Sequence, residues 1–270
     1  MHSVSFLKLG GAVITHKDIP ESVRTDVLER LASEIAHTWR ETGKPLVIGN
    51  GAGSFAHVPA AQYKIMDGFV GKESCLGMAI TQDAAARLNR IVVAALLAHG
   101  VPAVSLAPSA SLITKKRNAA VSFTDVLEEY LKKGLIPVVY GDVIVDQIQG
   151  CTIWSTDRVF SFFAKELTTR GWIIERILHV TEAEGVWKNK KKEIYPLITE
   201  KIRQEVKEKM VDVKGFDVTG GMWHKIEESL ALANLGIETR ILSGLTQNSI
   251  YDTFLGNTTI GTCIAKAKIN

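Results

Sequence analysis

"PLVIGNGAGSFAHVP" (residues 45–59) carries an apolar run straight into three glycines at every second position, followed by a serine, an aromatic residue and a histidine. Glycine loses more backbone freedom on folding than any other residue, so Gly49, Gly51 and Gly53 are poor material for the interior of a strand or helix. What they offer is close approach. With no Cβ in the way, an anion can rest against bare backbone N–H groups. The stretch reads as a strand that runs into a turn made to touch a ligand.

Outward from this point, short apolar runs alternate with helical periods. "VSFLKLGG" (4–11) is a strand entering a glycine turn, and "KPLVIGNG" (44–51) is the next. Val27, Leu28, Leu31 and Ile35 share one helical face between them. Leu88, Val92 and Leu96 repeat every four residues, and Gly100 stops that helix. "VPAVSLA" (101–107) is a strand, "SFTDVLEEYLKKG" (122–134) a helix and "LIPVVYGDV" (135–143) a strand. "STDRVFSFFAKEL" (155–167) predicts a helix capped by Thr156 or Asp157, with Val159, Phe160 and Phe163 inward. "RILHVT" (176–181) is strand-like, and "TGGMWHKIEESLALANLG" (219–236) is a helix ended by Gly236. "ETRILSG" (238–244) and "TTIGTCIA" (258–265) close the chain as strands. Such alternation predicts an α/β fold with a largely parallel sheet covered on both faces. The reading takes residues 1–270 as one domain, with an N-terminal lobe to about residue 170 and a C-terminal lobe after it.

Composition narrows the function. The 270 residues are 46% hydrophobic, enough for a large core, and the net charge of +3 is too small to point to nucleic acid or a membrane surface. "KNKKKEIY" (188–195) reads as a solvated loop tip. Cys75, Cys151 and Cys263 lie far apart and read as reduced thiols in a cytoplasmic protein. The N-terminus lacks a basic region followed by an apolar stretch, so no secretion is expected. "IVVAALLAHG" (91–100) falls well short of the ~20 residues of a membrane helix and reads as the end of a buried one.

Four glycine turns follow apparent strands: "KLGGAVITHK" (8–17), "GNGAGSFAH" (49–57), "YGDVIVD" (140–146) and "VTGGM" (218–222). In an open α/β sheet, ligands bind beyond the carboxyl ends of strands. Each turn alone is explained by a need for positive φ. Together, with lysines beside two of them, they point to a phosphate-rich ligand. None is a Walker A loop, and none is a Gly-x-Gly-x-x-Gly fingerprint. Lys8 and Lys17 flank the first turn. Phosphoryl transfer needs positioning and positive charge over the phosphoryl oxygens, which two such lysines supply. Asp157 is either an ordinary N-cap or the carboxylate that keeps those ammonium groups in place and charged. His57, at the end of the second turn, has the chemistry to donate a hydrogen bond to a phosphate oxygen.

In order, these stretches resemble the amino acid kinase superfamily, and within it the isopentenyl phosphate kinases. "KLGGAVITHK" resembles the opening Lys-x-Gly-Gly-Ser-x-Ile-Thr-x-Lys, and "GNGAGSFAHVPA" the Gly-x-Gly-Ser-Phe-Gly-His turn. "PVVYGDVIVDQIQGCTIWSTD" resembles the Gly-Asp-Val…Gly…Ser-x-Asp segment, "HVTEAEGVW" the Thr-Asp-Val-Asp-Gly-Val-Tyr loop, and "DVTGGMWHKIEESLAL" the Asp-Val-Thr-Gly-Gly-Met-x-x-Lys helix start. The histidine after Gly-Ser-Phe is the most specific sign, shared with the fosfomycin kinases. The resemblance implies an αβα sandwich, a homodimer, and ATP with Mg²⁺ held mostly by phosphate oxygens, so no protein metal ligand is expected. It implies that Lys8 and Lys17 contact the transferring group and that Asp157 organises them. Gly10, Gly11, Asp217, Thr219, Gly220 and Lys225 fall to ATP. Gly51, Ala52, Gly53, His57 and Gly150 fall to the acceptor, with His57 binding its phosphate. Ala12 and Ala56 stand where the family has Ser and Gly, and Glu182, Glu184 and Trp187 where it has two aspartates and a tyrosine.

The reaction implied is phosphorylation of isopentenyl phosphate to the diphosphate, without a general base. Its difficulty is the approach of two anions, which repel by about 4 kcal/mol per charge pair at ~4 Å and an effective dielectric of 20. An apolar pocket must select the short branched tail, and Tyr63, Met66, Phe69, Met78, Ile80 and Leu88 are the candidates after the histidine turn. The alternatives are a kinase for a phosphonate such as fosfomycin or another small phosphate, and a nucleotide sensor without catalysis.

Overall fold

The computed structural model describes residues 2–189, 191–212 and 221–267. Its centre is an eight-stranded sheet. The central strands are β1 (Ser3–Leu9), β2 (Leu46–Asn50), β6 (Ile136–Tyr140), β3 (Ala103–Ser105), β9 (Ile173–Thr181) and β11 (Thr239–Ser243), all parallel to their neighbours. Among the described strands of this sheet, only β12 (Thr262–Ile264) pairs antiparallel, against β11, and β10 (Leu197–Ile198) pairs beyond it, giving the order β10-β12-β11-β9-β1-β2-β6-β3. Strands buried on both faces read as continuous apolar runs, which is why they were legible.

Helices cover both faces. On one lie α2 (Thr25–Thr42), α4 (Ser74–Ala98) and α10 (Ser249–Phe254), packing Leu31, Ile35, Leu88, Val92, Leu96 and Ile250 onto Leu7, Ile48, Val138 and Leu178. Gly100 follows α4 with φ +79°, the left-handed stop that its position predicts. On the other face lie α6 (Thr124–Lys132) and α7 (Thr156–Thr169), which set Leu127, Val159, Phe160 and Phe163 on Phe6, Val47, Val139 and Ile177. Phe6 and Phe160 meet edge-to-face at 5.0 Å, worth about 0.5–1.5 kcal/mol beyond their burial. Further along this face, α8 (Arg203–Asp212) and α9 (Gly221–Ala233) pack Val206, Ile226 and Leu230 against Ile241 and Ile264. The molecule is thus the αβα sandwich expected. Among the described residues, no helix is long and apolar enough to cross a membrane. All three cysteines are unpaired.

Three expectations change. The run 135–143 is two strands: the chain breaks at Gly141, and β7 (Asp142–Asp146) leaves for a second sheet with β8 (Gly150–Trp154), β4 (Leu112–Lys115) and β5 (Asn118–Ser122), ordered β5-β4-β7-β8. A short helix, α5 (Pro108–Ser111), leads into it. The helix α7 is capped by Ser155, whose hydroxyl accepts from the Arg158 N–H at 3.3 Å, rather than by Thr156 or Asp157. Nor is 49–57 one turn. Gly49 lies within β2, and α3 (Gly53–Gln62) begins two residues beyond the strand, so His57 sits on a helix. The first glycine turn likewise passes directly into a four-residue helix, α1 (Gly11–Ile14).

Candidate active site

One row of residues across the sheet sets the site. In register, Lys8 of β1 stands between Gly49 of β2 and His179 of β9, with Ile241 of β11 beyond. All four face α7 and α9, because alternation along β1 puts Lys8 on the side of Phe6. Gly49 is bare here because α7 comes down on it: a Cβ would lie 2.6 Å from the Phe160 ring and 2.7 Å from the Thr156 methyl. Thr156 locks the approach by donating its hydroxyl hydrogen to the Asn50 carbonyl at 2.6 Å. The first turn of α7 therefore rests on β2, and Asp157 drops beside Lys8. Lys8 donates to Asp157 Oδ2, which Lys225 of α9 also reaches at 3.5 Å. His179 Nδ1 lies 3.1 Å from Oδ1 of the same carboxylate.

The glycine turns interlock above this row. A Cβ on Gly51 would lie 2.6 Å from the Gly11 nitrogen, and one on Gly11 would lie 2.6 Å from the Gly53 Cα. Gly53 has φ +53° and packs on Thr15, whose hydroxyl donates to the Gly11 carbonyl at 2.8 Å and accepts from the Ser54 N–H at 3.0 Å. These glycines serve the approach of protein backbone to protein backbone first. Gly10 and Gly51 spend their N–H groups on the carbonyls of Val180 and Leu9, both at 2.8 Å. The amides of Gly11 and Gly53, at the first positions of α1 and α3, make no hydrogen bond to another described residue. They are the free donors that helix starts leave.

A cavity of about 960 Å³ opens over row and turns. Lys8, Lys17, Asp157, Gly10, Gly11, Lys225, Gly51, Ala52, Gly53 and His57 all line it, so most of the residues singled out from sequence converge. It lies at the strands' carboxyl ends where the order reverses across β1 and β9, the place an α/β sheet reserves for ligands. Gly150 does not line it. That glycine has φ +87° and lies beneath the Phe69 ring, which accounts for its lack of a side chain. Asp217, Thr219 and Gly220 lie outside the described residues; Gly221 and Met222, just after them, line the cavity. Asp157 serves Lys8 and Lys225 rather than Lys8 and Lys17. Lys17, 64% exposed at the rim, instead meets Glu182 at 2.6 Å, and Glu182 also takes Arg24 at 3.2 Å.

The apolar wall differs from the six tail-pocket candidates. None of them lines the cavity. Leu88 is buried in the core under the opposite face of the sheet, and Met66, Phe69 and Ile80 are exposed. Ala56, Val58, Ala85, Val143 and Ile153 form the wall instead. Small residues there escape a search for large apolar side chains. On the other side, Trp187 and Lys192 line the cavity, with Lys192 Nζ 5.2 Å from the indole centroid. Sequence reasoning also missed His179, because one histidine inside an apolar strand carries no pattern.

Burial pushes Lys8 down to about 8 despite Asp157 beside it, and the nearby Lys225 adds to the fall. Burial works against an ionised Asp157, but Lys225, Lys8 and His179 outweigh it and hold the carboxyl well below the usual range. Burial takes His179 down to about 4 against the pull of Asp157, so its imidazole is neutral near pH 7. Two ammonium groups and one carboxylate leave net positive charge on the cavity floor. Among the described residues, no three His, Cys, Asp or Glu side chains converge as a metal site.

A fold that holds surplus positive charge under exposed helix starts handles phosphate. The chain belongs to the amino acid kinase family, whose model matches residues 4–243. It is 36% identical over 267 residues to the isopentenyl phosphate kinase of Methanothermobacter thermautotrophicus, covering 96% of this chain and 97% of that protein. With the isopentenyl phosphate kinase of Methanocaldococcus jannaschii it shares 31% identity, over 94% of this chain and 95% of that one. A crystal structure of an isopentenyl phosphate kinase superposes with a TM-score of 0.80 at 33% identity, over 97% of this chain and all of that chain. The substrate complex of an isopentenyl phosphate kinase, at 23% identity and a TM-score of 0.71, shares the fold over 96% of this chain and 99% of that one.

Proposed function

We propose that this chain transfers the γ-phosphoryl group of ATP to isopentenyl phosphate, giving isopentenyl diphosphate and ADP. The observation that carries the reading is the buried Lys8–Asp157–Lys225 cluster under two interlocked glycine turns, with His57 and an apolar wall lining the same cavity. An oxygen of the acceptor phosphate bonds to the γ-phosphorus as the bond to the ADP oxygen breaks, and ADP keeps the electron pair. The attacking oxygen is already anionic near neutral pH, so the protein need not remove a proton. Its task is to cancel repulsion and align the partners. Lys8 and Lys225 supply buried positive charge, and Lys17 exchanges Glu182 for phosphate. The Gly11 and Gly53 amides donate to phosphate oxygens, and His57 holds the acceptor's head. Mg²⁺, escorting ATP, would neutralise charge on the phosphate oxygens that bind it; a donor set of lysines and amides suits an ion carried in on phosphate.

The tail would lie against Ala56, Ala85, Val143 and Ile153. In this reading residues 1–270 form one kinase domain with the acceptor side before about residue 170 and the nucleotide side after it, working as a cytoplasmic homodimer. ADP release, measured across isopentenyl phosphate, dimethylallyl phosphate and fosfomycin, tests the acceptor. Turnover is expected to be fastest with isopentenyl phosphate. Turnover of fosfomycin alone would move the assignment to a phosphonate kinase, and ATP binding in calorimetry without turnover on any acceptor would make the protein a sensor.

A further inference from the structure

His179 takes no part in the steps above, yet it is 3% exposed and is the register partner of Lys8. Asp157 is engaged on one side only. Oδ2 takes both ammonium groups, while Oδ1 is buried and has no hydrogen bond among the described residues. His179 Nδ1 is likewise buried and without one. These two orphaned atoms face each other at 3.1 Å, just off the line of a full hydrogen bond. Leaving either buried atom unpaired carries an uncompensated desolvation cost, so a small turn of the imidazole that joins them is favoured.

We propose that His179 is a positioning residue, whose neutral imidazole donates its Nδ1–H to Asp157 Oδ1 and so aims Oδ2 at Lys8 and Lys225. The inference rests on the phosphoryl-transfer reading. Held by Oδ2 alone, the carboxylate is free to swing about its last torsion and carry both ammonium groups with it. Four titratable groups from four elements meet here: Lys8 of β1, Asp157 of α7, His179 of β9 and Lys225 of α9. Ile241, on the far side of His179 in the sheet, is apolar. The imidazole must be neutral for the device to work, since a third cation would compete for the single carboxylate. Burial holds it so.

Two variants and one spectrum test this. His179→Leu removes the donor, and His179→Asn keeps an N–H near the place of Nδ1. The Leu variant is expected to lower kcat by about 10- to 100-fold, the cost of small misplacement, with both KM values little changed. It should also move the alkaline limb of kcat/KM to lower pH, because Lys8 loses part of the attraction of Asp157. Asn should restore most of both. A Leu variant with wild-type kcat and limb would overturn the proposal, as would Asn and Leu variants equally impaired. Should the Leu variant fail to fold, histidine-selective nitrogen NMR on the unliganded wild type decides. The expected signal is an Nδ1–H tautomer that stays neutral down to about pH 5; an Nε2–H tautomer or an imidazolium near pH 7 would overturn it. That spectrum needs no turnover, so it stands apart from any failure of the acceptor assignment, which would show as an inactive wild type.

Discussion

Gly49 and Phe160 meet where no side chain can stand between them: a Cβ at position 49 would lie 2.6 Å from the phenyl ring. Because α7 rests on that bare backbone, Asp157 reaches Lys8. Gly49→Ala should therefore hurt twice. Overpacking costs about 1–3 kcal/mol, read as a lower midpoint in urea. The lifted helix should also lower kcat, whereas an unchanged kcat would show that α7 does not set the position of Asp157.

Lys8→Ala and Lys17→Ala should each lose most of kcat, on the order of 10²- to 10³-fold for Lys8. Stability separates the buried cluster from the rim. Asp157→Ala leaves two buried ammonium groups with no carboxylate, and breaking a buried pair costs about 3–5 kcal/mol. Lys17→Ala removes an exposed pair and should leave the melting temperature nearly unchanged.

Activity should fall with rising pH from about pH 8. Lys8 is charged below that value and neutral above it, and kcat/KM reports the free enzyme. In kcat the same limb should lie higher, because bound phosphate favours the charged ammonium. Stability runs the other way for this group. Between about 8 and its ordinary 10.5 the unfolded chain holds a proton that the folded chain has released, so folding gains as pH rises through that window. Paired pH profiles of kcat/KM and of urea unfolding, using Lys8→Met as reference, check both signs.

His57→Ala should raise the KM for isopentenyl phosphate about tenfold or more, with a smaller loss of kcat and the KM for ATP unchanged. A hydrogen bond to a charged group is worth about 1.5–3 kcal/mol. Unchanged acceptor kinetics would put the phosphate elsewhere.

Ala85→Leu fills part of the apolar wall. Each methylene there discriminates by about 1–3 kcal/mol, so kcat/KM for isopentenyl phosphate should fall at least tenfold. Inhibition by ADP should stay as it was. If both change together, the wall belongs to the nucleotide.

The central sheet was legible because its strands are buried on both faces, and Leu88, Val92 and Leu96 announced α4 by their period. The second sheet was not, and its turn shows why. Lys116 and Arg117 link β4 to β5 with φ +50° and +68°, a conformation normally signalled by Asn-Gly. Here Asp146, thirty residues away in sequence, imposes it by accepting from the Arg117 and Lys116 N–H groups at 2.6 and 3.3 Å. No local pattern records a turn held from a distance. The site was legible where glycine and lysine cluster in sequence. Gly49 shows the limit: its bareness serves Phe160, which a reading that looked only for phosphate could not see.

Lys8 finds its carboxylate 149 residues along the chain, and that carboxylate finds its second cation 68 residues further still. A polypeptide leaving the ribosome therefore carries the first lysine and both early glycine motifs long before anything can neutralise or use them. Contacts so distant in sequence form slowly, and the cluster is complete only when its last member, Lys225, is in place. Whatever protection substrates give against proteolysis should begin only once residue 225 has emerged and docked.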